Sequence, residues 1–263
     1  MNTRVANDDA VTDLSARFDA LDKLCFVNVG TLVHMVESYR ALVERDDSGW
    51  AYFMCGYCTY QKDVSESMTY FAKAIPKLDV ARKNGDPRGY YGMAYCSDGP
   101  RKHPVPYVSN KSLALDYYKI ASKLGFFLAQ SIVASIYDKG TFGVKQNHHL
   151  AAHYYGLASE QGFAPAQRRL GAMYDYGQGV CQDLAETARL YELAIAQGCI
   201  MPSILKKLSV IYYHGANCTS NTPNYPRAAK LAKIAAENGD DNRWLQLVLD
   251  SGVDFDGEEP ACY

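Results

Sequence analysis

Five glycines, Gly85, Gly125, Gly162, Gly198 and Gly239, each close an alanine-rich segment, and they stand 40, 37, 36 and 41 residues apart. A second series keeps step with the first. Tyr95 to Gly99, Tyr137 to Gly140, Tyr174 to Gly177 and Tyr212 to Gly215 each end an aromatic-bearing segment. Two interleaved series that drift together mark an internal repeat, and a period of about 20–50 residues is the signature of stacked supersecondary units. This pattern constrains the fold more than any bulk property, because each unit of such an array packs only on its neighbours.

The apolar spacing within the units is helical. Val11, Leu14, Phe18, Leu21 and Cys25 put one stripe on a helix over Asp9 to Cys25, and Val29, Leu32, Val33, Val36, Tyr39 and Val43 put another on Val27 to Arg45. These two are expected to pair as an N-terminal helical cap over residues 1–47. Residues 48–250 then form the array, in units over about 48–84, 85–124, 125–161, 162–197 and 198–238, with a closing helix at 240–250. The helix pairs expected are Trp50 to Tyr60 with Val64 to Ile75, Pro87 to Ser97 with Lys111 to Leu124, Phe126 to Asp138 with His148 to Gln161, Ala164 to Tyr176 with Leu184 to Gln197, and Pro202 to His214 with Tyr225 to Asn238. Asp63 and Glu66 have the spacing of a capping box, and Pro76 is expected to end or kink its helix. Residues 98–109 and 216–226 are insertions, and residues 251–263 form an acidic tail expected to fray.

Gly125, Gly162 and Gly198 follow helix-favouring residues and precede Phe126, Phe163 and Cys199 with Ile200. A left-handed residue followed by an apolar one is a helix stop. Gly92 and Gly171, by contrast, fall inside helical segments, where glycine costs about 1 kcal/mol against alanine. Close approach of neighbouring helices is the expected compensation.

At these positions the sequence resembles the Sel-1-like repeat family, relatives of the tetratricopeptide repeats. The residues that carry the resemblance are Ala166, Gln167, Leu170, Gly171, Tyr174, Gly177, Gly179 and Val180, followed by Asp183, Tyr191, Ala194 and Gly198. Gly85-Asp86-Pro87 and the run Ala152, Tyr154, Tyr155, Ala158, Gly162 belong to the same pattern. The resemblance covers roughly residues 50–240 and is strongest over 111–215. It implies an all-α, right-handed superhelical solenoid of antiparallel helix pairs, used as a non-catalytic adaptor or scaffold for another protein or an extended peptide.

Composition removes several other functions. A net charge of −2 and a pI near 6.3 give no electrostatic case for nucleic acid or an anionic membrane. No segment reaches the ~18 apolar residues of a membrane span, and residues 1–9 lack the apolar run of a signal peptide. Eight cysteines in 263 residues do not recur with the units, which fits reduced thiols in the cytoplasm. The alternative within the family is a hydrolase or β-lactam-binding member of its cysteine-rich branch, which would need a bridge in each repeat. No nucleophile paired with a base and no phosphate-binding loop is present, so no catalysis, cofactor, metal or small-molecule substrate is expected. His149 with His153 and Cys55-x-x-Cys58 have ligand-like spacings but no third ligand or second pair, and read as helix surface and buried thiols.

The inner face of a tetratricopeptide-like array comes from the first helix of each pair. Transferred by the repeat alignment, that face comprises Trp50, Phe53, Tyr57, Tyr60, Met93, Ser131, Ser135, Asp138, Arg168, Asp175, Tyr176, Lys206, Tyr213 and His214. Aromatics with Arg and Lys resemble the composition of interface hot spots. Tyr95, Tyr137, Tyr154, Tyr174, Tyr191 and Tyr212 fall on repeat positions expected to be packing seams.

Overall fold

The computed structural model describes residues 18–23, 32–60, 62–98, 110–215, 222–239 and 243–250. Both insertions, most of the first expected helix and the acidic tail lie wholly or largely outside the described residues. Every described element is a helix. Helical residues 18–23 (α1) are followed by α2 (Leu32–Asp46), α3 (Gly49–Thr59), α4 (Val64–Lys83), α5 (Pro87–Asp98), α6 (Lys111–Lys123), α7 (Phe127–Lys139) and α8 (His148–Glu160). Then come α9 (Ala164–Tyr176), α10 (Leu184–Ala196), α11 (Pro202–His214), α12 (Tyr225–Glu237) and α13 (Arg243–Asp250). The chain divides into two compact units, one ending at Phe163 and the other beginning at Ala164.

In the first unit α3 packs with α4, α5 with α6 and α7 with α8, while α2 covers α3. In the second, α9 packs with α10, α11 with α12, and α13 closes on α12. Each pair is a helix hairpin, and short turns at 84–86, 124–126 and 197–201 join one pair to the next within the units. The same two devices build almost every one. The residue after the spacer glycine donates its N–H five residues back: Phe126 to Ala121, Phe163 to Ala158 and Cys199 to Ala194. Gly125 and Gly162 stand at φ +88° and +77°, a conformation that costs a side-chain-bearing residue energy but glycine almost nothing. At the other end, Asp63, Asn110, Asn147, Asp183 and Asn224 each accept the N–H of the residue three ahead on their side-chain oxygen. Such caps satisfy first-turn amides that have no partner in the helix, for about 1 kcal/mol each.

Two local expectations are corrected. Pro76 does not end α4, which continues to Lys83. Its last two turns are held by packing: Leu78 is fully buried, worth about 2 kcal/mol, and offsets much of what the missing Pro76 amide costs. Glycines make that packing possible. A Cβ on Gly89 would lie 2.3 Å from the Arg82 amide nitrogen, and one on Gly92 would lie 2.7 Å from Leu78 Cδ1. The capping box at Asp63 is half formed. Glu66 donates its N–H to Asp63, but its carboxylate pairs with Arg40, and the Asp63 amide bonds the Thr59 carbonyl.

The core of the first unit is aromatic. Phe53 is flanked by Trp50, Phe71, Tyr91 and Tyr95, with ring centroids 5.1–6.2 Å away. Asp22 is fully buried beside this cluster and accepts from Tyr39 Oη at 2.6 Å and Trp50 Nε1 at 3.0 Å. Burial drives its carboxyl up to about 7 against the opposing pull of these donors and of Arg88. The core of the second unit is aliphatic: Leu205, Leu208, Ile211 and Leu231 pack with Ala188, Ala228 and Ala235 around Tyr212.

Candidate functional site

On α9, Arg168, Ala172, Asp175 and Tyr176 follow the i, i+4, i+7, i+8 spacing that places side chains on one helix face. On α11, Lys206 and Val210 stand one turn apart on one face, with Lys207 beside it. The two faces, with Tyr191 from α10 between them, line a depression of about 790 Å³ in the second unit. Asp175 is buried there and pairs with Lys207 Nζ at 2.7 Å, while its backbone carbonyl accepts from Gln182 Nε2. Three cations and one carboxylate leave the depression at net +2 in a chain of net −2. Tyr176 stands at its rim with 71% of its surface exposed.

The lining offers positive charge and a flat, exposed ring. Burial pushes the Tyr191 phenol up to about 12, helped by the Asp175 carboxylate, and raises the Cys199 thiol against the pull of Arg168. Neither supplies an anionic nucleophile near neutrality. Guanidinium and ammonium groups around an exposed ring suit a carboxylate-bearing, aromatic-bearing chain segment.

The depression thus gathers Arg168, Asp175, Tyr176 and Lys206, four of the residues named from the sequence. Tyr213 and His214 lie further along α11. Tyr213 is half-buried, 5.6 Å from Trp244 and 5.3 Å from Tyr225, and lines a second depression with Arg243, Gln246, Leu247 and Asp250. His214 is exposed and meets Tyr213 edge-on.

In the first unit the expectation for three residues is corrected. Trp50, Phe53 and Met93 are 4%, 0% and 4% exposed and belong to the core, so they present nothing to a partner. Aromatic bulk on α3 is drawn inward because α2, α4 and α5 all pack over it. Tyr57 and Tyr60 are half-buried, with Tyr57 against Tyr95. Ser131 and Ser135 are half-buried on α7, and Asp138 meets His148 Nδ1 at 3.1 Å. Of the seam tyrosines, Tyr191 and Tyr212 are buried, and Tyr137 stacks on Tyr154.

His149 and His153 are exposed one turn apart on α8, and no group of three or more metal-ligating side chains occurs among the described residues. Cys55 and Cys58 are buried, with the Cys55 thiol driven up to about 12 by burial. No helix is long and apolar enough to cross a membrane among the described residues.

Sequence reasoning missed Lys207, whose pairing with Asp175 crosses between helices of adjacent pairs. It also missed a glutamine link that the repeat itself encodes. Gln161 donates to Gln130, and Gln197 to Gln167, both at 2.7 Å. The 36–37-residue offsets between equivalent glutamines were the available signal.

Comparison with known proteins accounts for this architecture. The Sel1 repeat profile matches residues 87–126, 128–163, 164–199 and 205–240, more than half of the chain. Among solved structures, the chain is similar to c5321, described as a protective antigen present in uropathogenic Escherichia coli strains displaying an SLR fold, with 25% identity and a TM-score of 0.53. That likeness covers 81% of this chain but only 42% of the antigen, so the chain spans less than half of the antigen's length. It is also similar in fold to a Sel1 repeat protein from Oxalobacter formigenes, with 18% identity, a TM-score of 0.56, and 85% and 98% of the two chains covered. Comparison with curated proteins returns no match. Four consecutive profile matches, on helices that turn at the repeat's own glycines, establish that the chain belongs to the Sel1 repeat family.

Proposed function

We propose that this chain is a non-catalytic scaffold for protein–protein interaction, and that the depression between α9 and α11 takes an acidic, aromatic-bearing segment of its partner. Membership of the Sel1 repeat family supports the general role, since stacked helix pairs offer extended surfaces at little structural cost. The observation that carries the specific reading is the convergence of Arg168, Lys206 and Lys207 around the exposed Tyr176. Arg and Tyr are the residue types on which binding energy concentrates. Tyr57, Tyr60, Ser131, Ser135, Asp138, Tyr213 and His214 are further positions on the first helices of the pairs and serve, on this reading, as secondary contacts. The free thiols of Cys55, Cys96, Cys181 and Cys199 fit a cytoplasmic setting.

Selection of displayed peptides against the chain tests this directly. Enriched sequences are expected to set Asp or Glu beside an aromatic residue. Their affinity should fall at least tenfold in the Arg168→Glu, Tyr176→Ala double variant, with helicity and melting unchanged. Peptides without acidic bias, or ones the double variant still holds, would remove the depression from the proposal.

A further inference from the structure

Residues 251–263 follow α13 and read Ser-Gly-Val-Asp-Phe-Asp-Gly-Glu-Glu-Pro-Ala-Cys-Tyr. Asp254, Asp256, Glu258 and Glu259 are acidic, no basic residue offsets them, and Phe255 stands between two of the carboxylates. This is the chemistry the cationic depression suits. The position of α13 brings the segment within reach. Asp250, the last residue of α13, lines a depression with Tyr213 of α11. Lys206, Val210 and Tyr213 share one stripe of α11, and Lys206 and Val210 line the cationic depression. From Tyr213 back to Lys206 is seven residues of helix, about 10 Å. Phe255, five residues past Asp250, reaches up to about 17 Å when extended.

We propose that the segment from Asp254 to Glu259 occupies the depression of its own chain, with Phe255 against Tyr176 and the flanking carboxylates on Arg168, Lys206 and Lys207. The proposal rests on the reading of that depression given above. Tethering sets the effective concentration of the segment at about the millimolar level. A partner segment therefore has to displace it, and weak acidic ligands are excluded. Because the attraction is between partly exposed charges, occupancy declines with salt.

Zero-length carbodiimide coupling of the full chain, followed by mass mapping, reads the contact. The expected product joins Lys206 or Lys207 to a carboxylate of residues 254–259, within one chain when isotopically labelled and unlabelled chains are mixed. The second measurement uses a fluorescein-labelled peptide of residues 251–263, with Cys262→Ser. A full-length variant carrying Asp254→Asn, Asp256→Asn, Glu258→Gln and Glu259→Gln should bind this peptide at least tenfold more tightly than the unaltered chain. Adding Lys206→Glu and Lys207→Glu should remove the gain. Equal binding by unaltered and neutral-tailed chains overturns the proposal. So does coupling to other lysines, such as Lys230 or Lys233, or coupling found only between chains, which would make a second copy the occupant. If a scrambled acidic peptide binds the neutral-tailed chain through Lys206 while the tail couples elsewhere, the tail proposal falls and the depression keeps its role. If neither peptide binds any variant, both fall.

Discussion

Between the hairpins of the unit ending at Phe163 the space is filled by rings, with Phe53 touching Trp50, Phe71, Tyr91 and Tyr95 and with Phe126 against Trp50 and Tyr91. Between those of the unit beginning at Ala164 it is filled by Leu205, Leu208, Ile211 and Leu231 among alanines. The surfaces differ in step with the cores. A depression of about 690 Å³ in the first unit is lined by Asp47, Asp86, Lys77 and Arg88, whose charges cancel. The one in the second carries net +2 and an exposed tyrosine. One hairpin design thus serves two ends. Beside the aromatic core one depression's charges balance, and beside the aliphatic core an aromatic and three cations line the other.

The largest expected effect tests the aromatic core. Phe53→Ala removes a fully buried ring from four ring partners and should cost about 4–5 kcal/mol. Each unit holds one of the chain's two tryptophans, Trp50 and Trp244. In a Trp244→Phe background, the urea midpoint read by Trp50 emission should shift far more for Phe53→Ala than for Tyr176→Ala, whose side chain is largely solvated. Similar shifts would mean that the two regions do not differ in the way their contacts indicate.

A second contrast lies in how the units bury an acid. Asp175 in the second unit faces Lys207, whereas Asp22 in the first faces the neutral donors of Tyr39 and Trp50. Burial raises the Asp22 carboxyl from 3.8 to about 7, so the folded chain holds a proton that the unfolded chain has lost over that interval. The sign follows from linkage. Its contribution is full below about pH 4, declines as pH rises toward 7 and is gone above it, a change of about 4 kcal/mol at 1.36 per unit. Asp22→Asn keeps an oxygen acceptor for both donors and carries no charge. It should flatten the pH profile between 4 and 7 and stabilise the first unit at pH 8. An unchanged profile would assign the pH dependence to other groups.

Much of the fold was legible because the repeat is written in backbone chemistry. Glycine at the helix stop and Asp or Asn at the helix start are local requirements, and α9 and α11 begin and end where the sequence places them. The extension of α4 through Pro76 was not legible, since it depends on α3 and α5 packing against its last turns. Trp50, Phe53 and Met93 were misplaced for a related reason. A repeat alignment gives the helix face of a residue but not how many neighbours cover that face, and α2 and α4 both close over α3. Arg168, Tyr176 and Lys206, placed on helix faces by that same alignment, line one depression. Lys207 needed the fold, because its carboxylate partner is 32 residues away in sequence.

The smallest effect separates two kinds of close approach. Gly89 in the first unit faces backbone, where an added Cβ would meet Arg82 N at 2.3 Å and Leu78 O at 2.8 Å. Neither atom can swing aside, so α5 must lift off α4. Gly171 in the second faces the Tyr191 ring at 2.7 Å, a side chain that can shift where backbone cannot. Alanine gains about 1 kcal/mol of helix propensity at either site. Against that gain, overpacking at Gly89 should leave a net loss of about 3 kcal/mol, and at Gly171 of about 1 kcal/mol or less. Denaturant titrations of Gly89→Ala and Gly171→Ala measure both. Losses of equal size would show that Tyr191 is as firmly held as a helix backbone, and that the floor of the cationic depression is as rigid as the aromatic core.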